Sequence, residues 1–184
     1  TCFFYIYVHI QMTVYINGKF LCQQTTGVQS YGQNMLAALR LLNIDFEILI
    51  PPTDKITDKY HVKKVGFFSN LVLWEQISLP FFMNTHRDGI LINFSNSAPL
   101  WGRNQIVTIH DLAFEKRGVT WFSFFFKTWY RFLIPRICRK ALRVCTVSDF
   151  SKKELMNYYK LPENKIEIIP NVFAPEGQTT ERVV

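Results

Sequence analysis

The sequence predicts an α/β fold, a Rossmann-like parallel sheet with helices on both faces. Three kinds of observation carry this. Short β-branched or aromatic runs recur along the chain, most of them apolar throughout, as strands buried on both faces must be. Stretches with apolar residues at three and four spacing alternate with them, the pattern of crossover helices. Capping serines and prolines fall at the boundaries between the two kinds of segment.

In chain order, the strand runs lie at 13–16, 46–50, 61–65, 90–94, 106–109, 143–147 and 166–169. The helical stretches between them cover 28–42, 71–79, 121–140 and 150–159. Either Ser148 or Ser151 caps the last of these, since Ser148 precedes it and Ser151 is followed at the third position by Glu154. Pro162 and Pro170 punctuate the last helix and the last strand. Beyond Pro170 the chain turns polar and carries Pro175 and Gly177, the composition of a linker or hinge.

A length of 184 residues is that of one typical domain, and 48% apolar with 19% charged residues is globular rather than disordered composition. Seventeen Phe, eight Tyr and four Trp supply a sizeable core and leave aromatic surface outside it. Lys and Arg outnumber Asp and Glu by 21 to 14, a formal charge of +7 that favours phosphates, acidic lipid headgroups or nucleic acid without choosing among them. No recognition helix, zinc motif or aromatic RNA-reading signature accompanies that charge, so nucleic acid ranks last and is not expected as a partner. Cys2, Cys22, Cys138 and Cys145 form no C-x-x-C pair and read as free thiols of a reducing compartment, which predicts a cytoplasmic protein. The first eighteen residues lack Asp, Glu, Lys and Arg but also lack a basic n-region and a cleavage site. Gln11, Asn17 and Gly18 interrupt a spanning helix, and an orderly strand pattern begins at Met12. Residues 1–11 therefore read as an upstream-start leader, or else as an extra hydrophobic strand.

Several positions could carry chemistry. Gly27 stands where the first turn enters the first helix, so it either admits a ligand to the backbone, near N–H groups that favour an anion, or is simply a turn glycine. No G-x-G-x-x-G is present, which leaves a dinucleotide site unsupported. His110 and Asp111 follow a central strand at its carboxyl end, the edge where ligands sit in open α/β sheets. His110 there either contacts a sugar hydroxyl or moves a proton, or it is a hydrogen-bonded structural histidine; Asp111 orients it or caps the next segment. Asn93, Ser95, Asn96 and Ser97 reach the same edge as short polar groups suited to hydroxyls or to turns. The segment 121–132, WFSFFFKTWYRF, is either a core helix with snorkelling cations at its edge or a helix resting on a membrane surface. Arg136, Arg139, Lys140 and Arg143 extend its charge.

Taken together, VYINGKFL (14–21) with TGVQ (26–29), IVTIHDLAF (106–114), TVSDFSKKEL (146–155) and KIEIIPN (165–171) resemble the bacterial family-four glycosyltransferases. The resemblance implies one half of a GT-B fold. Residues 12–170 would be the N-terminal acceptor-side domain, and 171–184 a hinge towards a C-terminal donor-binding domain missing from the sequence. It also implies a retaining transfer from a nucleotide-sugar donor to a glycan or lipid-linked acceptor in cell-surface polysaccharide synthesis, with no cofactor and no metal ion. By that analogy Gly27 lies near the donor phosphate and acceptor, and His110 beside the transferred sugar, with Asn96 and Asp111 as further substrate contacts. Peripheral contact with the cytoplasmic membrane face fits a lipid-linked acceptor. The chain departs from the family pattern at Ser30, where many relatives carry Arg, and at Val172, where they usually carry Gly. The isolated polypeptide is expected not to catalyse transfer. The alternative is a non-catalytic module that binds glycan, membrane or partner.

Overall fold

The computed structural model describes residues 12–53, 60–115 and 124–171. Alternating strands and helices appear in the predicted order. They are β1 (Val14–Asn17), α1 (Gly27–Leu41), β2 (Phe46–Ile50), β3 (Val62–Lys64), α2 (Leu71–Leu73), α3 (Leu79–Thr85), β4 (Ile90–Asn93), β5 (Gln105–Thr108), α4 (Phe124–Lys140), β6 (Arg143–Thr146), α5 (Asp149–Tyr159) and β7 (Ile166–Ile168). A π-helical turn, Trp74–Ser78, joins α2 to α3, and short 3-10 turns occupy Gly18–Cys22, Ala113–Glu115 and Glu163–Lys165.

The seven strands form one sheet in the order β3-β2-β1-β4-β5-β6-β7, every pair parallel. Pairing places Val14 beside both Phe46 and Ile90, Ile92 beside Ile106, and Val107 beside Val144. Because side chains alternate across the sheet, one face presents Val14, Ile16, Ile48, Ile50, Ile90 and Ile92. Tyr31, Met35, Leu36 and Leu39 of α1 close over them. The opposite face presents Tyr15, Leu49 and Leu91 to Trp74, Leu79 and Met83. Farther along that face, Val107, Val144 and Ile166 meet Leu133, Ile134 and Ile137 of α4 and Leu155 of α5. Burial on both faces is why the strands read as unbroken apolar runs.

The structure settles or corrects several expectations. The helix expected over 71–79 continues to Thr85, because the π turn carries it past Ser78 and Pro80 sits in the first turn of α3, where no N–H is required. Of the two candidate caps, Ser148 is the one used: its hydroxyl accepts from Ser151 N at 3.1 Å. Ser151 instead sends its own hydroxyl to the His110 carbonyl at 2.8 Å. The aromatic stripe is divided between core and solvent: Tyr130 packs against the core cluster and against Phe114, as a core helix requires, but other members do not. The inward positions of α4 are Leu133, Ile134, Ile137 and Cys138, while Phe125, Trp129 and Phe132 are turned to solvent. The expected leader 1–11, the helix start 121–123 and the hinge residues 172–184 lie outside the described residues.

Candidate functional site at the carboxyl edge of the sheet

Strand order reverses between β1 and β4, so the chain leaves these neighbours in opposite directions, and the carboxyl ends at such a reversal are where open α/β sheets bind ligands. Asn17 ends β1 and Asn93 ends β4. Both point to the face that carries the π turn, and both are buried. The Asn17 amide nitrogen donates to Asn93 Oδ1 at 2.9 Å and to Glu75 Oε1 at 3.0 Å. Its amide oxygen accepts from Lys19 N at 3.2 Å, which starts the 3-10 turn directly after the strand.

Glu75 is the centre of this cluster. The π turn inserts an extra residue per turn and so swings a carboxylate into an otherwise apolar helix face, between the buried Trp74 and Ser78. Oε2 accepts from Lys19 Nζ at 2.8 Å, and Oε1 also accepts from Ser97 Oγ at 2.8 Å. Lys19 Nζ donates to Ser97 Oγ at 3.2 Å, closing a triangle. The Lys19 and Glu75 side chains are only 9% and 2% exposed. A buried charge pair is tolerated only when its remaining lone pairs and protons are satisfied, and here they largely are. The saturated carboxylate acts as a strut that holds the 18–22 turn against β4, not as a free base.

Gly18 and Gly27 differ within the segment that this strut positions. A Cβ at Gly18 would stand 2.7 Å from the Leu49 carbonyl and 2.7 Å from Ile50 Cγ2, so packing on β2 demands glycine there. At Gly27, the first residue of α1, a Cβ would meet nothing within 4 Å, so nothing in the chain's own packing excludes a side chain. The helix start is fixed by a capping box, in which the Thr26 backbone N–H and hydroxyl both donate to Gln29 Oε1.

His110 lies on the other side of the sheet edge, one helical turn from Gly27 by way of Tyr31. Its ring meets the Tyr31 ring edge-on at 4.7 Å. Its Nε2 lies 2.8 Å from the Phe94 carbonyl, which can only accept, so the proton sits on Nε2 and the lone pair of the neutral ring is on Nδ1. Burial lowers its pKa, opposed in part by the Phe94 hydrogen bond and by Asp111, which keeps the imidazole neutral near pH 7. With the Nε2 proton already used, the neutral ring can serve a ligand only as an acceptor through Nδ1.

Asn96 adopts a left-handed conformation, φ 50°, and its side-chain oxygen accepts from His110 N at 2.6 Å, so it ties the end of β4 to the end of β5. Asp111 is exposed and accepts from Ala113 N at 2.9 Å, as the cap of the next turn. Ser95 Oγ is buried without a hydrogen-bond partner among the described residues. The edge thus brings His110 against Tyr31 and ties it to Asn96, whereas Asn17, Lys19, Glu75, Asn93 and Ser97 form the strut across the sheet. Glu75 went unnoticed in sequence reasoning; the available signal was a lone acid next to Trp74 on the inward arc of an apolar helical pattern. No group of three or more His, Cys, Asp or Glu is placed to hold a metal ion among the described residues.

The family model described as Glycosyltransferase Family 4 matches residues 25–176, from the turn before α1 past the end of β7. Asn17, Gly18 and Lys19 precede the matched span. No curated protein matches the chain.

Proposed function

The chain belongs to glycosyltransferase family 4, and from that premise we propose that it forms the acceptor-side half of a GT-B enzyme. The reaction proposed is a retaining transfer from a nucleotide-sugar donor to a glycan or lipid-linked acceptor, in cell-surface polysaccharide synthesis. The observation that carries this reading is the strand reversal between β1 and β4, with Gly27 open to approach at the start of α1 and His110 at the end of β5. In this reading Gly27 lets an anionic substrate group approach the helix N-terminus, where unpaired N–H groups and the helix dipole favour negative charge. His110 accepts a hydrogen bond from a hydroxyl through Nδ1 and so orients a sugar without itself becoming charged. Asn96 holds the loop that presents it, and Asp111 shapes the rim. Charge that develops on the leaving diphosphate would be offset by basic side chains and helix N-termini in the donor-binding half.

NMR titration of the 184-residue chain separates the two sides of the reaction. Acceptor-type oligosaccharides should shift the His110 imidazole signals, whereas uridine and guanosine diphosphates should leave them unchanged. Nucleotide binding at His110 with no response to glycans would overturn the acceptor-side assignment. No transfer product is expected from the isolated chain with any nucleotide-sugar.

A further inference from the structure

At the amino edge of the sheet, the turns that lead into β4 and β5 border a cavity of about 170 Å³ that the transfer reading does not use. His86, Arg87 and Gly89 line it from the turn after α3, and Arg103 and Asn104 from the turn before β5. It lies at the opposite end of the strands from His110, since the four residues of β5 stand between them and span about 13 Å.

The two turns are tied to each other and to the sheet. Asn104 is left-handed, φ 46°, a conformation that Asn tolerates. Its amide nitrogen donates to the Arg87 carbonyl at 3.1 Å, and its backbone carbonyl accepts from Leu91 N at 2.9 Å. Gly89 N donates to the His86 carbonyl at 3.1 Å, and a Cβ at Gly89 would stand 2.4 Å from the Tyr15 ring, so β1 packs directly against this turn. The His86 ring is held in turn, stacked on Phe82 at 3.9 Å. The cations of the cavity therefore project from a fixed frame that joins two neighbouring strands.

Charge and donor geometry select the ligand. A basic residue after a helix is often no more than a cap, and Arg87 does donate through Nε to the Asn84 carbonyl at 3.2 Å. That role uses one of its five N–H groups. The Phe82 and Met83 carbonyls of the same turn already accept from Thr85 Oγ1 at 2.7 Å and His86 N at 3.3 Å, which leaves little negative charge from the helix end to repel an anion. Both Nη groups of Arg87 and the whole guanidinium of Arg103 have no hydrogen-bond partner or counter-ion among the described residues. Asp88, next to Arg87 in the chain, does not line the cavity. Two guanidinium forks on one cavity match the several oxygens of a phosphate group, each fork able to give two parallel charge-assisted bonds.

We propose that Arg87 and Arg103 bind a phosphate group in this amino-edge cavity and so bridge the starts of β4 and β5. The site is separate from the edge at which transfer is proposed and does not depend on that reading. Inorganic phosphate, pyrophosphate and glucose 1-phosphate would each be titrated into the full 184-residue chain, with ionic strength held constant by chloride. The Gly89 and Asn104 amide signals and the melting temperature would be followed. Saturable shifts with a Kd on the order of a millimolar or tighter are expected, together with a rise in Tm. Arg103 makes no bond to the described residues, so Arg103→Gln should fold normally and bind roughly tenfold or more weakly. Arg87→Lys keeps the charge but loses the fork and should also bind more weakly. Arg143→Gln removes the same charge from the start of β6 and should bind as the wild type does. Tightest binding of inorganic phosphate would support the site with free phosphate as its ligand, and tightest binding of glucose 1-phosphate would support it with a phosphorylated sugar. Shifts that never saturate or that chloride reproduces overturn the proposal, as does equal weakening by Arg143→Gln, which would reduce the effect to net charge.

Discussion

His110 combines two properties at one residue: a ring buried between α1 and the β4 end, and a proton committed to the Phe94 carbonyl. Its folded pKa lies below the ordinary value, so the unfolded chain takes up a proton first as the solution is acidified. Stability linked to this group is complete above the unfolded value of about 6.5 and is lost as pH falls below it. Thermal melts between pH 7 and pH 5 should show a steeper acid loss in the wild type than in His110→Asn, and equal slopes would mean that the ring is not the linked group. The two glycines of the first turn should part company in the same way. Gly18→Ala forces a Cβ against the Leu49 backbone and should cost about 1–3 kcal/mol in urea unfolding. Gly27→Ala meets no neighbour and should be neutral or stabilising by up to about 1 kcal/mol. If Gly27→Ala nevertheless loses the glycan response at His110, the need for glycine there comes from the ligand.

Among the elements, the π turn between α2 and α3 does most to tie the β1 and β4 ends together. Without it Glu75 would not meet Asn17, Lys19 and Ser97 at once, and the 3-10 turn after β1 would lose its anchor to β4. Glu75→Gln leaves Lys19 buried without its counter-charge, and the expected loss is about 3–5 kcal/mol. Adding Lys19→Met to that variant should recover part of the loss, because the uncompensated charge is then gone. A double-mutant cycle with no coupling between the two positions would show that the pair is not a unit. Local pattern could not reveal this strut, since the bonds from Asn17 and Lys19 to Glu75, Asn93 and Ser97 span 56 to 78 residues of chain. Local pattern did place α1, α4 and α5 to within a few residues, because each buries an apolar face whose period is set by the helix itself. For α4 it found the aromatic stripe but not its direction, as aliphatic and aromatic positions both recur at helical spacing and only packing shows which set meets the sheet.

For the molecule as a whole, β1 and β4 lie at the middle of seven strands and are buried along their length, whereas β3 is an exposed edge of three residues. Amide exchange should accordingly be slowest in β1 and β4, opening only with global unfolding, and faster by orders of magnitude in β3. Comparable rates in all three would mean that the sheet opens as one unit. The sequence by itself determined the succession of strands and helices, the parallel character of the sheet and the family resemblance, since these follow from apolar periodicity and short motifs within a few residues of one another. Only the tertiary structure decided the seven-strand order, the Glu75 strut and the spent proton of His110. Those depend on which distant backbone and side-chain groups satisfy each other once water is excluded, and a buried hydrogen bond leaves no periodic trace in the chain that forms it.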